Sequence, residues 1–351
     1  MKAYNTSVNY LKALGISLMV LGHSGIIDHE ISFIYMFHMP LFFIASGYCF
    51  KEKYLSAPGK YLYNKMKGIY WPYVKWSLLF LLLHNVFFNL HLYSDQYGWK
   101  EYVSHLYASS EFLSLATSII FKMQGHEQLL GGYWFMNALF FGSLIIWLVI
   151  RYVKQPLCGG AILIVICTVL NKTCWQIPFI NISSQAFAAA LLIYIGYCLA
   201  KYRIKPFYNW QIALSLTITL IGSFVWNMAM DQNSYSNKRF IPYIITAVLA
   251  SWSFYSLFDK IKSSHGICAK ALDFIGKNTL TILTWHFLAF KLVSLVIIGI
   301  YELPIERLAE FPVITEYSKH GWWIAYFIVA MIVTCGIAYC NKWIKNNWLK
   351  L

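Results

Sequence analysis

Two neighbouring apolar stretches decide the fold class: NYLKALGISLMVLGHSG at residues 9–25 and FHMPLFFIASGYCF at residues 37–50. They lie in longer apolar stretches at about 8–27 and 31–50, each with the length of about 20 residues that a helix needs to cross a bilayer. No small-residue cleavage site separates them, so we expect the first stretch to be a retained helix and not a signal peptide. The pair predicts two membrane helices in direct succession.

The composition extends this prediction to the whole chain. Of 351 residues, 59% are hydrophobic and only 12% are charged, which is too little charge to cover a water-facing surface. This excludes a soluble protein. Apolar stretches lie at about 8–27, 31–50, 70–91, 132–153, 157–172, 184–200, 209–228, 240–258, 278–300 and 322–343. We therefore predict an all-α integral membrane protein of about ten spans, a single membrane domain over 1–351 with no appended soluble domain.

The distribution of charge predicts the orientation. If the chain starts on the cytoplasmic side, 19 of its 28 Lys and Arg residues lie inside and 7 lie outside, while three acidic residues lie inside and eleven outside. Such an excess of inner basic residues indicates an N-in and C-in topology. The net charge of +14 is then an orientation signal, and we expect no nucleic-acid partner.

The cysteines carry no recognisable motif. Eight are present, none in a CxxC pair, and most fall within or at the ends of predicted spans, where reduced cysteine behaves as a small apolar residue. No HExxH motif or other clustered ligand spacing occurs either. We predict neither a disulfide nor a metal site.

The first stretch carries two polar side chains that stand out. Lys12 and His23 are eleven residues apart, which places them on one face of a helix and about 16 Å apart along its axis. A histidine inside a span is costly unless it faces the bundle interior or a wet cavity, so His23 is a functional candidate. The alternative is a histidine bonded to a neighbouring carbonyl for packing alone.

The second stretch carries His38 next to Pro40. Proline kinks a helix and frees a backbone carbonyl, so we expect a break at this point. His38 and His23 lie on adjacent helices and can face one cavity, but a histidine that merely bonds across to another helix is an equally good interpretation.

These residues resemble a known family. A basic residue, ten intervening residues and a histidine, followed by FHMPLFFIASGYCF, is similar to the membrane-bound acyltransferase-3 family. Three further blocks resemble its fucose 4-O-acetylase-like and O-antigen O-acetyltransferase branch. They are NKMKGIYWPYVKW at 64–76, YWFMNALF at 133–140 and IGKNTLTILTWH at 275–286. The resemblance covers most of the chain, and it implies about ten helices and O-acylation, usually O-acetylation, of envelope glycans.

The resemblance also implies roles for the first two polar residues. His23 takes the catalytic position, and Lys12 falls where the family has arginine. We assign Lys12 to the catalytic site with His23, as a clamp for a phosphate or carbonyl group, although lysine is a point charge without the bidentate fork of arginine. Independently of the family, an imidazole suits proton removal from a sugar hydroxyl, which makes His23 our general base. A histidine nucleophile that carries the acyl group remains an alternative.

The expected acyl donor is acetyl-CoA, which is made in the cytoplasm and carries phosphates. Lys65 and Lys67, near Lys51 and Lys53, would meet its head group at the basic inner face, unless these lysines only set the topology. Ser46 and Tyr48 are assigned to the same donor site as candidate hydrogen-bond donors.

The acceptor would be a sugar. Trp134 and Asn137, at the outer start of the fourth span, can bind a sugar ring and its hydroxyls, although tryptophan at an interface is usually an anchor. His38 and His286 are further candidates for this substrate site, and both have the plain alternative of bonding to another helix.

The sequence thus predicts a multi-pass enzyme of a bacterial inner membrane, with membrane lipid, acetyl-CoA and an envelope glycan or lipid-linked sugar as partners. Two alternatives remain at this point. Ten spans with buried His and Lys would also suit a glycan transporter without chemistry, and a membrane scaffold or polymerase partner is a third possibility.

Overall fold

The computed structural model describes residues 5–26, 28–173, 176–177, 180–226 and 240–347, and these are almost entirely helical. The helices, in chain order, are α1 Thr6–His23, α2 Asp28–Tyr35, α3 Pro40–Tyr48, α4 Pro58–Lys65, α5 Trp71–Asn89, α6 Lys100–Val103, α7 Ser109–Lys122, α8 Trp134–Tyr152, α9 Pro156–Thr173, α10 Ser184–Lys201, α11 Asn209–Trp226, α12 Phe240–Ile261, α13 Ile267–Lys277, α14 Thr279–Ile300, α15 Thr315–Tyr317 and α16 Trp323–Asn347.

Shorter elements connect these helices. Three 3₁₀ segments cover Glu52–Tyr54, Gln128–Tyr133 and Ile305–Ala309, and two π-helical turns cover Met66–Tyr70 and Ser318–Trp322. Strand β1, Gln176–Ile177, pairs antiparallel with β2, Ile182–Ser183, between α9 and α10.

Five helical stretches in the described part of the chain are long and apolar enough to cross a membrane. They are Gln128–Tyr152, Ser184–Lys201, Phe240–Ile261, Thr279–Ile300 and Thr315–Asn347. These match five of the predicted spans. Two more predicted spans coincide with the shorter apolar helices Pro156–Leu170 and Asn209–Val225. The protein is therefore an all-helical, multi-pass membrane protein.

The predicted second span, 31–50, is divided into two helices. α2 ends at Tyr35, a turn follows, and α3 begins at Pro40. Proline lacks the N–H that would continue the preceding helix, but it is well suited to a first helical turn. The break expected at Pro40 is thus confirmed, and it separates the stretch into pieces of eight and nine residues.

The chain divides into two compact units. The first unit comprises Met1–Gly15, His29–Tyr73 and Trp134–Asp273, and the second unit comprises Ile16–Asp28, Val74–Tyr133 and Phe274–Leu351. α1 contributes its residues 6–15 to the first unit and its residues 16–23 to the second.

The first unit is built around the crossing of α3 and α10. A Cβ at Gly47 would lie 1.8 Å from the carbonyl oxygen of Ile193, and one at Gly196 would lie 2.1 Å from that of Ile44. These two glycines therefore let the backbones of the two helices touch, which small residues permit in membrane helix packing. α8 also packs on α10, where Gly142 faces Ala186 and Ala189.

The second unit is centred on α14 and α16. Ser294 of α14 and Tyr326 of α16 are hydrogen-bonded through their hydroxyls at 2.9 Å, and the Tyr326 hydroxyl accepts the N–H of Ile314 at 3.2 Å. The loop before α8 is fixed to α5 by a buried pair, with Nδ1 of His84 3.1 Å from a carboxylate oxygen of Glu127.

Candidate active site

The end of α1 and the first half of α14 bring two histidines together in the second unit. Nδ1 of His23 lies 3.1 Å from Nε2 of His286. The two rings are stacked, with centroids 5.4 Å apart and planes inclined by 15°. His286 is fully buried, whereas His23, the last residue of α1, is partly exposed. Part of the His23 side chain is therefore at the surface, while His286 is shielded.

The hydrogen-bond partners define the tautomers of this pair. Nδ1 of His286 lies 2.9 Å from the carbonyl oxygen of Leu283, which can only accept, so this nitrogen carries the proton. In a neutral ring Nε2 of His286 is then an acceptor, and Nδ1 of His23 donates to it. The lone pair of His23 is left on its Nε2. His286 thus orients a neutral His23 with its basic nitrogen directed away from the pair.

Aromatic rings enclose the pair. The ring centroid of Phe287 lies 4.9 Å from that of His23 and 3.9 Å from that of His286, and Phe290 lies 5.8 Å from His286. Such an apolar wall limits the access of water and strengthens the electrostatic interactions inside it.

The helix that carries His286 is itself anchored. The hydroxyl of Thr284 donates to the carbonyl of Leu280 at 2.8 Å, and the Tyr133 hydroxyl lies 2.7 Å from that of Thr284. Because Thr284 uses its proton within α14, Tyr133 is the donor of the second bond. The 3₁₀ segment that ends at Tyr133 therefore holds α14 two residues before His286.

Lys12 lies in the first unit, in a group of basic side chains around Cys49. This thiol, directly after α3, interacts electrostatically with Lys12, Lys51 and Lys65. We call these four residues the cationic cluster. Nζ of Lys65 donates to Oγ of Ser143 at 2.9 Å, and burial lowers the pKa of Lys65 to about 8. Three lysines around one thiol concentrate positive charge, which suits an anionic ligand.

The sequence predicts that Lys67 and Lys53 act together with Lys65, but both of these lysines are exposed. Nζ of Lys67 lies 6.0 Å from the ring centroid of Tyr63, whereas Nζ of Lys65 lies 5.3 Å from that of Tyr61. The structure therefore places Lys65 in the cationic cluster and leaves Lys67 on the surface.

Ser46 and Tyr48 lie on α3, in the first unit. The Tyr48 hydroxyl is 2.8 Å from that of Tyr255, and its ring also packs on Trp252, with centroids 5.8 Å apart. Both Ser46 and Tyr48 are partly exposed. Their assignment to the donor site stays a prediction.

His38 is buried just before α3, and its Nδ1 lies 3.0 Å from the carbonyl oxygen of Ile34. This nitrogen therefore donates to the preceding turn of the chain. His23 itself is paired with His286, within the second unit. A substrate-binding role for His38 stays a prediction.

Trp134 is the first residue of α8 and is partly exposed, while Asn137 is buried one turn later. The side-chain amide of Asn137 donates to the carbonyl of Asn181 at 3.3 Å and so holds the turn between β1 and β2. This bond explains the position of Asn137 without a ligand. The sugar-binding role of Trp134 and Asn137 stays a prediction.

Sequence reasoning missed two features of the site. One is the direct pairing of His23 with His286, and the other is Cys49 at the centre of the cationic cluster. The only signal for the pairing is that both histidines fall in blocks that carry the family resemblance. Cys49 gives no signal, because a single cysteine near a helix end is unremarkable in a membrane protein.

The described residues contain no group of three or more His, Cys, Asp or Glu side chains that could hold a metal ion. The described cysteines, at 49, 158, 167, 198, 268, 335 and 340, are free thiols, and Cys174 lies outside the described residues.

Comparison with known proteins identifies the family. The model of the acyltransferase-3 family, described as an acyltransferase domain, matches residues 5–340. No curated protein and no solved structure gives a significant match. The match spans both units and includes His23, His286 and the cationic cluster. The chain therefore belongs to the acyltransferase-3 family and is a membrane acyltransferase.

Proposed function

We propose that this protein transfers an acetyl group from acetyl-CoA to a hydroxyl of an envelope polysaccharide or glycolipid sugar, with His23 as the general base. The observation that carries this proposal is the pair formed by His23 and His286. It holds a neutral imidazole at the end of α1, with one nitrogen fixed by a hydrogen bond and the other basic.

The chemistry requires one proton to move twice. Nε2 of His23 takes the proton from the sugar hydroxyl while the oxygen attacks the thioester carbonyl carbon. The tetrahedral intermediate then collapses, the C–S bond breaks, and the imidazolium returns the proton to the departing thiolate. The products are an O-acetyl sugar and free CoA. The bond from Nδ1 of His23 to His286 selects the neutral tautomer with a basic Nε2 and holds the orientation of the ring while it carries the proton.

The cationic cluster supports the assignment of the donor. Coenzyme A is a polyanion, and lysines bind phosphates as point charges. Lys12, Lys51 and Lys65 all act electrostatically on Cys49, so their positive charges add up in this part of the first unit. We assign the donor head group to this cluster, with Lys67 outside it.

The proposal includes ten spans with both termini in the cytoplasm. The distribution of Lys and Arg supports this topology, since 19 of 28 lie on the inner side under it. Single cysteines placed at Ser109 and Lys270 of a cysteine-free variant test it. A membrane-impermeant maleimide applied to intact cells should label position 109 and not position 270.

The central experiment uses radiolabelled acetyl-CoA with membranes that contain the protein and envelope glycan. We expect base-labile label on the glycan, and we expect His23→Ala to lose it. His265→Ala, which changes an exposed histidine, is the matched control and should transfer acetyl normally. Equal labelling with His23→Ala would remove His23 from the mechanism.

Two other outcomes have distinct meanings. Label that accumulates on His23 in the absence of an acceptor would identify a covalent acyl-histidine route in place of direct transfer. Glycan flux across vesicles without any acetyl label would favour an exporter.

A further inference from the structure

A line of aromatic rings in the second unit runs from an exposed tryptophan to His23. The ring centroid of Trp99 lies 5.0 Å from that of Phe311, and Phe311 lies 4.6 Å from Phe287. Phe287 in turn lies 4.9 Å from His23. Trp99 is 37% exposed, whereas Phe287 is buried. The line therefore connects the surface of the long loop before α8 with the base proposed for the reaction.

The backbone of Trp99 is fixed by a buried amide. Gln128, which is fully buried, accepts the N–H of Trp99 on Oε1 at 3.0 Å. The same amide donates to the carbonyl of Leu92 at 3.2 Å, so one side chain ties both ends of the segment 92–99. Gly98 has a φ of +82°, and a Cβ there would lie 2.4 Å from Oε1 of Gln128. These contacts hold the backbone of the segment 92–99 in place and so restrict where the indole of Trp99 can lie.

The chain next to Phe311, the second ring of the line, is also held in place. Lys291 of α14 is 2% exposed and donates from Nζ to the carbonyl of Glu310, the residue before Phe311. Gly131 lies beneath both rings, since a Cβ there would be 2.9 Å from the benzo edge of Trp99 and 3.2 Å from Phe311. A buried lysine is costly, and its use to fix a loop carbonyl indicates that the position of Phe311 matters.

We propose that Trp99, supported by Phe311, is the platform on which a pyranose ring of the acceptor glycan stacks. This inference rests on the proposed function and adds the place where the acceptor binds. The C–H face of a sugar is apolar and packs on an indole, while its hydroxyls need polar partners. Asp95 and Gln96, both exposed in the same segment, provide a carboxylate and an amide for them.

A membrane anchor is the alternative explanation for an exposed tryptophan. An anchor needs an indole at the interface but no defined orientation. Here a fully buried Gln128 and a buried Lys291 fix the segments on either side of one ring contact, 5.0 Å between centroids. Burying Gln128 and Lys291 costs free energy. A surface that recognises a ligand needs such fixed positions, whereas a membrane anchor does not.

The test compares Trp99→Ala, Trp99→Phe and Trp210→Ala in purified protein in lipid nanodiscs. Trp210, which is 65% exposed on α11 in the first unit, is the matched control. The acceptors are the methyl glycosides of fucose, rhamnose, galactose and N-acetylglucosamine, with labelled acetyl-CoA. Direct binding of the same glycosides is measured by saturation-transfer NMR without the donor.

We expect Trp99→Ala to raise the acceptor KM about tenfold or more and to lose the binding signal, with kcat and the donor KM unchanged. Trp99→Phe keeps a ring and should raise the acceptor KM by less than about threefold. Trp210→Ala should match the wild type. Unchanged acceptor KM and binding in Trp99→Ala would overturn the platform and leave transfer by His23 intact. Absence of transfer by the wild type to every glycan, polymeric acceptors included, would overturn the proposed function and the platform with it.

Discussion

Nδ1 of His23 and Nε2 of His286 lie 3.1 Å apart, although 263 residues separate them in the chain. The contact joins the last residue of α1 to the first half of α14, and the carbonyl of Leu283 completes it by accepting from Nδ1 of His286. One backbone carbonyl therefore determines the tautomer of two rings in succession. The proposed base is thus oriented by a hydrogen-bond chain that ends on a backbone carbonyl.

His286→Ala should lower kcat about 10- to 100-fold with little change in either KM, because in the proposed mechanism His286 acts by orienting His23. His286→Gln offers an acceptor oxygen at a similar place and should restore part of the rate. The double variant with His23→Ala should be no slower than His23→Ala alone, since the two residues act as one unit. Steady-state kinetics of acetyl transfer give kcat and both KM values for His286→Ala, His286→Gln, His23→Ala and the double variant. If the fold-losses of kcat in the two single variants multiply to give the loss in the double variant, the histidines act independently.

Lys65→Met should raise the donor KM about tenfold, because it removes a charged partner from the phosphates. In the wild type the donor KM should rise between about pH 7 and pH 9, since Lys65 has a pKa of about 8 and loses its positive charge as the pH increases. Lys65→Arg stays charged over this range and should give a flat profile. A pH-independent donor KM in the wild type would exclude Lys65 from the phosphate site.

Lys12→Arg should keep most of the activity, and Lys12→Ala should lose it through a raised donor KM. Arginine retains the positive charge that Lys12 contributes near Cys49. The exposed Lys67 provides the comparison, and Lys67→Ala should leave the donor KM unchanged. Full activity in Lys12→Ala would show that this position is not part of the donor site.

The sequence was sufficient for the local features of this site. Helical spacing placed Lys12 and His23 in one helix, and Pro40 marked the start of α3. The joint role of Lys65 and Lys67 at the donor site stays a prediction; Lys65 donates to Ser143, whereas Lys67 is exposed.

The long-range features could not be predicted in this way. No periodicity relates His23 to His286 or Trp99 to Phe311, because their contacts depend on how distant helices and loops pack. Gln128 is buried and orders the loop around Trp99. Nothing in the sequence distinguishes it from an ordinary polar loop residue.

Glu127→Gln should destabilise the second unit by about 1–3 kcal/mol, because it replaces a buried carboxylate whose oxygens lie against the ring of His84. Nδ1 of His84 lies 3.1 Å from Glu127, and its Nε2 lies 3.0 Å from the carbonyl oxygen of His105. Glu111→Gln breaks the exposed pair with His105 and should cost less than about 1 kcal/mol. Thermal unfolding of the purified variants measures the difference, and equal losses would contradict the buried pair's role.

Gly47→Ala should prevent the first unit from folding, because the new Cβ would lie 1.8 Å from the carbonyl oxygen of Ile193. That oxygen belongs to the backbone of α10, so relief requires the two helices to separate, and we expect a cost above about 3 kcal/mol. Gly59→Ala is the matched control, since nothing lies within 4 Å of a Cβ at that position of α4. It should be neutral or slightly stabilising. The yield of monodisperse protein and its melting temperature measure both variants, and a wild-type melting temperature for Gly47→Ala would show that α3 and α10 do not cross at this glycine.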